Sequence, residues 1–126
     1  MRVDNSKKNS FFKLDLLILS ALRRQDCYGY EIVSIIKEHT NDMFVIKEGV
    51  MYPILYRLVN DHYISSYDRV VNSRNRLSYH LEPAGLDYLN RLIEEFDQGI
   101  EIVERFIAWS RETGSSKKGS CVLFLK

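Results

Sequence analysis

Residues 47–57 supply side chains that would share the solvent side of a helix. The candidate contact residues are Lys47, Gly49, Val50, Tyr52, Pro53, Tyr56 and Arg57. A valine can touch a thymine methyl group, and a tyrosine or an arginine can reach a phosphate or a base edge. This combination predicts contact with double-stranded DNA, and the alternative is an ordinary solvated face. Tyr52 lies between the two helix faces, so packing is the competing role for that residue.

Arginines form a second candidate contact in the segment that follows. Arg74 and Arg76 fall at the tip of a predicted hairpin, where arginines enter the minor groove or pair with phosphates. The alternative is a solvated turn, with Arg69 paired to Asp68. Further candidates for phosphate contact, or for a merely solvated arm, are Lys7, Lys8 and Lys13.

The residue types that usually perform catalysis or hold metals are scattered along the chain. His39, His62 and His80 lack the spacing of a shared metal site, and there is neither a nucleophile elbow nor a phosphate loop. We therefore predict no enzymatic activity, no metal and no cofactor. Cys27 and Cys121 are too few and too far apart for a disulfide framework, which favours a reducing cytoplasm. A thiol switch at either cysteine stays open as an alternative.

Charge is unevenly distributed along a nearly neutral chain. The formal net charge is +1, so a general attraction to polyanions is not expected. The N-terminal arm and the hairpin are nevertheless basic, and a local basic face is sufficient for phosphate contact. The densest apolar run, 14–22, is interrupted by Asp15 and Ser20 and is too short to span a bilayer. With no recognisable signal peptide, we expect a cytoplasmic protein that does not enter the membrane.

Hydrophobic periodicity places the candidate contacts on a small set of elements. The predicted elements are helices at 11–24 (with Ser10 as N-cap), 28–39 and 48–60, and strands at 63–71 and 76–81 around a turn at 72–75. Helix, turn, second helix and basic hairpin in this order predict a winged helix-turn-helix. The fold class is thus mainly α with a two-stranded wing, and the third helix would enter the DNA major groove.

A long helix at 82–110 carries a regular apolar stripe behind Pro83, which suits a first helical position. The stripe residues, spaced alternately three and four apart, are Leu86, Leu89, Ile93, Phe96, Ile100, Val103 and Ile107. This heptad pattern is typical of a helix that pairs with another helix, so we predict a homodimer. The chain then divides into a DNA-binding domain at 1–81, a dimerisation helix at 82–110 and a flexible polar tail at 111–126.

Three short motifs lie within the predicted helices and wing: Tyr28–Ile32, Gly49–Leu55 and Tyr79–Leu81. Together they resemble the PadR family of bacterial transcription regulators, over roughly residues 14–107. The resemblance implies a homodimeric winged helix-turn-helix protein, usually a repressor, of the small branch with a single C-terminal helix.

The resemblance also implies an effector site, because some small members bind flat aromatic compounds between paired C-terminal helices. Phe96 and Trp109 are the candidate contacts, and Gly99 leaves room beside the first of them. The alternative role for Phe96 is to fill the helix seam.

Three residues depart from the pattern of this family. Val50 stands where a threonine is common, Tyr56 where a lysine is common, and Glu82 where a threonine caps the last helix. A glutamate at a helix N-terminus is still electrostatically favourable. The first two departures motivate an alternative function, a winged-helix module that binds a protein partner and has weak or no operator binding.

Overall fold

The computed structural model describes residues 14–112, which form four helices and a small antiparallel sheet. In chain order the elements are α1 (Leu14–Arg24), β1 (Cys27–Tyr28), α2 (Gly29–His39), α3 (Glu48–Asn60), β2 (Ile64–Val71), β3 (Arg74–Leu81) and α4 (Pro83–Ser110). The predicted mainly α fold with a small wing is confirmed. The predicted cap at Ser10, the lysines of the arm and most of the tail lie outside the described residues.

One apolar core joins the four helices to the sheet. The stripe of α3 that was predicted to face inward is buried. Its residues Met51, Leu55 and Leu58 are each at most 1% exposed. They pack in one cluster with residues of every other helix, among them Ile18, Leu19, Ile32, Ile36, Leu89 and Leu92. Full burial of such a side chain stabilises the fold by about 1.5–3 kcal/mol. The core therefore fixes the rotation of α3 and turns its opposite face outward.

A short strand that the periodicity did not predict gives the sheet a third member. Cys27 and Tyr28 pair with Tyr79 and Ser78 of β3, so the strand order is β1-β3-β2. The predicted helix start at Tyr28 was one residue too early. The strand was not predicted because two residues are too few to show the alternation of a strand. This pairing ties the start of α2 to the base of the wing.

The wing hairpin is tighter than predicted. Strands β2 and β3 pair continuously up to the partners Val71 and Arg74. Only Asn72 and Ser73 form the turn, with φ of 53° and 66°, the positive values that a two-residue hairpin turn of type I′ requires. The predicted four-residue turn at 72–75 was therefore too long, and Arg74 begins a strand.

The start of α4 is fixed by close contacts with β2 and with Tyr63, the residue that precedes β2. Pro83 occupies the first turn, as predicted. The backbone of Gly85 lies so close to the Tyr63 carbonyl oxygen that a Cβ has no room there. Glu82 is the N-cap residue, but its carboxylate accepts a 2.6 Å hydrogen bond from the Ser65 hydroxyl and makes no side-chain cap. The helix is thereby anchored to the base of the wing.

The C-terminal half of α4 carries apolar side chains that the described residues of the same chain leave exposed. Ile102 and Phe106 are 63% and 58% exposed. With 28 residues, the helix is about 42 Å long, so it extends beyond the small domain that buries its first turns. Within residues 14–112, no helix is both long and apolar enough to cross a membrane.

Candidate nucleic-acid interface

The outward face of α3 presents most of the residues that the sequence singled out. Tyr56 is 71% exposed and Val50 is 48% exposed. Gly49 and Pro53 are also exposed, and no atom lies within 4 Å of the position that a Cβ on Gly49 would take. Lys47 is an exposed N-cap residue. Together these residues form an exposed surface of apolar, hydroxyl and ammonium groups, which suits the base edges and phosphates of DNA.

Tyr52 packs against the start of α2. Its phenol ring lies on Gly29, which is buried, and the tyrosine hydroxyl occupies the space that a Cβ on Gly29 would need. Tyr52 as a whole remains 44% exposed. Tyr52 therefore fixes the spacing between α2 and α3 and also forms part of the outer surface.

Arg69 does not pair with Asp68. Neighbouring residues of a strand point to opposite faces, and Arg69 faces the start of α2. Its Nε donates to the Ser78 hydroxyl at 3.1 Å, and its Nη2 lies 3.2 Å from Oε1 of Glu31. That same oxygen accepts the backbone N–H of Tyr28 at 3.0 Å. Arg69 thus belongs to a network that caps α2 and fastens it to the wing.

The two other wing arginines are placed differently from each other. Arg74 is exposed immediately after the turn. The guanidinium carbon of Arg76 lies 4.9 Å from the centre of the Tyr28 ring, a cation–π arrangement. The Nε atom of Arg76 is buried and has no hydrogen-bond partner among the described residues. Arg76 therefore lies two residues beyond Arg74 along β3, with its side chain on Tyr28 of β1 rather than at the wing tip.

A cleft of about 520 Å³ separates the wing from the two helices of the helix-turn-helix. It is lined by Tyr28, Gly29, Tyr30, Glu48, Tyr52, Asn75, Arg76, Leu77 and Tyr79. The cleft gathers phenol hydroxyls, one amide and one guanidinium, with Glu48 as an opposing charge. This arrangement can donate hydrogen bonds to an extended polar chain, such as a nucleic-acid backbone, that lies between α3 and the wing.

Arg57 lies on α3 in an ion pair with α1. Its Nη2 is 3.0 and 3.1 Å from the two carboxylate oxygens of Asp15, and the Tyr88 hydroxyl donates to the same carboxylate at 3.0 Å. The hydrogen bond with Asp15 raises the pKa of Arg57 above the already high value of an ordinary arginine. Burial and then the Asp15 carboxylate raise the pKa of Tyr88 to about 12. Sequence reasoning missed both partners, although Asp15 interrupts an apolar run and so was visible as a signal.

Asp26 joins the outer strand of the wing to the turn before β1. It accepts the Tyr67 hydroxyl at 2.5 Å, and Nδ1 of His80 lies 2.8 Å from its other oxygen. Partial burial opposes ionisation of Asp26, but these two hydrogen bonds lower its pKa overall. The hydrogen bond with Asp26 raises the pKa of His80. The cluster is a surface polar network with no group positioned as a nucleophile.

The structure offers little support for metal or thiol chemistry. Within residues 14–112, no group of three or more histidines, cysteines or carboxylates is arranged to hold a metal ion. Cys27 is fully buried, and burial raises its pKa to about 11. Its thiol is therefore protonated at neutral pH, which argues against a reactive sensor. Cys121 lies outside the described residues.

The stripe predicted for dimerisation divides into two parts. Leu89 is fully buried in the core of one chain and has no surface left for a partner, and Ile93 and Phe96 are half-buried. The remaining four residues are 37–41% exposed: Leu86, Ile100, Val103 and Ile107. Sequence reasoning did not select Ile102 or Phe106, which widen the apolar surface. The rings of Phe106 and Trp109 lie 5.4 Å apart, so Trp109 belongs to an aromatic pair near the helix end.

Comparison with known proteins gives one consistent result. Residues 18–91 match the PadR-like family of transcriptional regulators. A transcriptional regulator from Clostridium thermocellum is 34% identical with a TM-score of 0.69, over 75% of this chain and 92% of that one. A PadR family transcription regulator from Clostridium difficile is 32% identical with a TM-score of 0.66, over 75% of this chain and 97% of that one. Bacillus subtilis PadR, solved in complex with operator DNA, is 26% identical with a TM-score of 0.58, over 64% of this chain and 45% of that one.

Proposed function

Because the chain belongs to the PadR-like family of transcriptional regulators, we propose that it is a cytoplasmic homodimer that represses transcription by binding a double-stranded operator. Members of this family regulate transcription and are not enzymes. The observation that carries the proposal is the exposed face of α3, which lies beside an arginine-bearing wing and is held outward by a buried stripe on the opposite side.

In this proposal α3 enters the major groove and the wing follows the adjacent backbone. Val50 and Tyr56 face the base edges, where a valine methyl can contact a thymine methyl. Arg74 reaches a phosphate or the minor groove. One DNA strand lies in the cleft beside Arg76, between α3 and the wing. The solved complex of Bacillus subtilis PadR with operator DNA supports DNA as the partner.

Dimerisation through α4 would place two α3 helices on one face of the duplex. The exposed residues Ile100, Val103 and Ile107 form the seam, and Leu86 extends it toward the domain. A twofold dimer of this kind reads half-sites separated by about one helical turn, roughly 34–36 Å. The operator is therefore expected to be a near-palindrome.

Release from DNA would follow binding of a flat apolar effector at the paired α4 helices. Phe96 and Trp109 are the proposed contacts, and Phe106 adds a third aromatic ring beside Trp109. The effector must bind one arrangement of the two DNA-reading domains more tightly than the other, since only differential affinity shifts their populations.

A second candidate function is a protein-interaction module with weak or no operator binding. It is favoured by the chemistry of α3, whose only basic residue, Arg57, is already paired with Asp15. Tyr56 and Val50 add no cation to this helix, and Lys47 lies just before its first residue. Exposed aromatic and aliphatic residues of this type are common at protein interfaces.

Fluorescence anisotropy with DNA from upstream of the protein's own gene separates the two functions. The purified full-length protein is titrated against that DNA and against a random duplex, each at two salt concentrations. The repressor proposal predicts tighter binding to its own upstream DNA and a steep loss of affinity with salt. Equal and weak binding to both duplexes would overturn it in favour of the interaction module.

A further inference from the structure

Arg57 is the only basic residue within α3, and the structure places it at the junction of three helices. The Asp15 carboxylate belongs to α1, and Tyr88 belongs to α4. All three side chains meet at that carboxylate within 3.1 Å. The only cation of the proposed DNA-reading helix therefore has an internal partner.

The acceptor of this ion pair is held rigidly. The side chain of Asp15 is 13% exposed, whereas that of Arg57 is 49% exposed. Asp15 also accepts the Tyr88 hydroxyl, and the Tyr88 ring stacks on Tyr63 with centroids 4.3 Å apart. The guanidinium carbon of Arg91 lies 5.6 Å from the centre of the Tyr88 ring. A poorly solvated carboxylate in such a place requires its cation, because leaving it unpaired is costly.

We infer that Asp15 is a positioning residue for DNA binding, which keeps Arg57 in the ion pair while the operator is bound. Arg57 then orients α3 against α1 and α4 and does not neutralise a phosphate. This inference rests on the proposed function, because it assigns a role within DNA binding. It also revises the prediction from the sequence, in which Arg57 contacted DNA directly.

The inference separates affinity from salt dependence. A cation that neutralises a phosphate contributes about 0.9 to the slope of log K against log salt. A cation that only orients the helix changes the affinity and leaves that slope unchanged. Two residues acting as one unit also show non-additive effects, so the double variant should lose little more than either single variant.

Anisotropy titrations over a series of salt concentrations test this with Asp15→Asn, Arg57→Gln and the double variant. Arg74→Gln serves as the variant that removes a proposed phosphate contact, and Arg105→Gln removes an exposed arginine on α4. We expect each single variant of the pair to weaken operator binding about three- to tenfold, with the wild-type slope. Arg74→Gln should lower the slope by about 0.9, and Arg105→Gln should change neither quantity.

Two results would overturn the inference. One is a slope for Arg57→Gln that falls as it does for Arg74→Gln. The other is tighter binding by Asp15→Asn, which would mean that the carboxylate competes with phosphate for Arg57. Asp15→Asn keeps an acceptor for Tyr88 and leaves no uncompensated carboxylate, so it tests the inference even if Arg57→Gln does not fold.

Failure of the proposed function gives a different signature. If the wild type shows no salt-dependent DNA binding, the proposed function is wrong, and the role of Asp15 in that binding is wrong with it. Thermal unfolding of the same four proteins of the cycle still measures the ion pair without DNA. Additive losses of stability would show that the pair does not exist in solution and would overturn the inference even if DNA binding is strong.

Discussion

Gly85 sets the distance between the first turn of α4 and the residues that lead into the wing. A Cβ at this position would collide with the Tyr63 carbonyl oxygen, which is backbone and cannot move aside as a side chain can. We expect Gly85→Ala to destabilise the fold by about 1–3 kcal/mol through overpacking, and to lower the melting temperature by about 5 °C or more. Thermal unfolding followed by circular dichroism measures this.

Gly49→Ala is the matched control for that substitution. Gly49 also lies in the first turn of a helix, but nothing occupies the space around its Cβ position. Alanine should therefore be neutral or slightly stabilising there. Equal losses at both positions would contradict the claim that close packing is the reason for the glycine at position 85.

His80 and Asp26 form a second contact whose strength depends on protonation. The hydrogen bond with Asp26 raises the pKa of His80. A raised pKa in the folded state gives a stabilisation that is complete below the unfolded value of about 6.5 and is lost as the pH rises through the folded value. The effect is small because the two side chains are 51% and 31% exposed.

We expect Asp26→Asn to move the pKa of His80 back toward its ordinary value. A pH titration of the His80 imidazole by NMR in both proteins measures this, with His39 as an internal reference. The difference in melting temperature between wild type and Asp26→Asn should also shrink as the pH rises above about 6.5. An unchanged His80 titration would show that the contact is absent in solution.

At the scale of elements, the exposed isoleucines Ile100 and Ile102 of α4 differ in their place on the helix. Ile100 lies on the heptad stripe and Ile102 lies off it. If the stripe forms the dimer seam, Ile100→Asp should convert the dimer to a monomer, because a charge would be buried at the seam. Ile102→Asp should leave more dimer at the same concentration. Light scattering coupled to size-exclusion chromatography gives both masses.

The outcome of that pair also defines the width of the seam. Monomers from both variants would show that the interface includes the surface around Ile102 and Phe106 as well. Dimers from both would contradict the dimerisation role of the stripe.

The sequence was sufficient to predict most elements and insufficient for their contacts. The stripe of Met51, Leu55 and Leu58 predicted both α3 and its buried face, because helical periodicity reports burial directly. Strand β1 has only two residues and leaves no periodic signal. Ion pairs were beyond reach, since Arg57 and Asp15 are 42 residues apart and only the fold brings them together. Leu89 was predicted to contact a second subunit but is buried in the core of its own chain. Periodicity shows that a residue is buried and does not show which neighbour buries it.

The whole molecule is close to neutral, so its proposed attraction to DNA depends on where the charges lie. The wing carries Arg74 in an exposed position, and the exposed face of α4 is rich in carboxylates such as Glu94 and Glu101. This separation would orient the domain with α3 and the wing toward phosphates. One added negative charge should therefore weaken DNA binding when it lies on α3 and should change DNA binding little when it lies on the outer side of α4.

The most direct measurement compares operator affinity of Tyr56→Glu with that of Asn90→Glu at one salt concentration. Both substitutions add one negative charge at an exposed position, the first on α3 and the second on α4. We predict that Tyr56→Glu weakens binding by at least about tenfold, because like-charge contact with the phosphates is repulsive, and that Asn90→Glu binds as the wild type does. Equal affinities for the two variants would contradict the claim that the outward face of α3 contacts DNA.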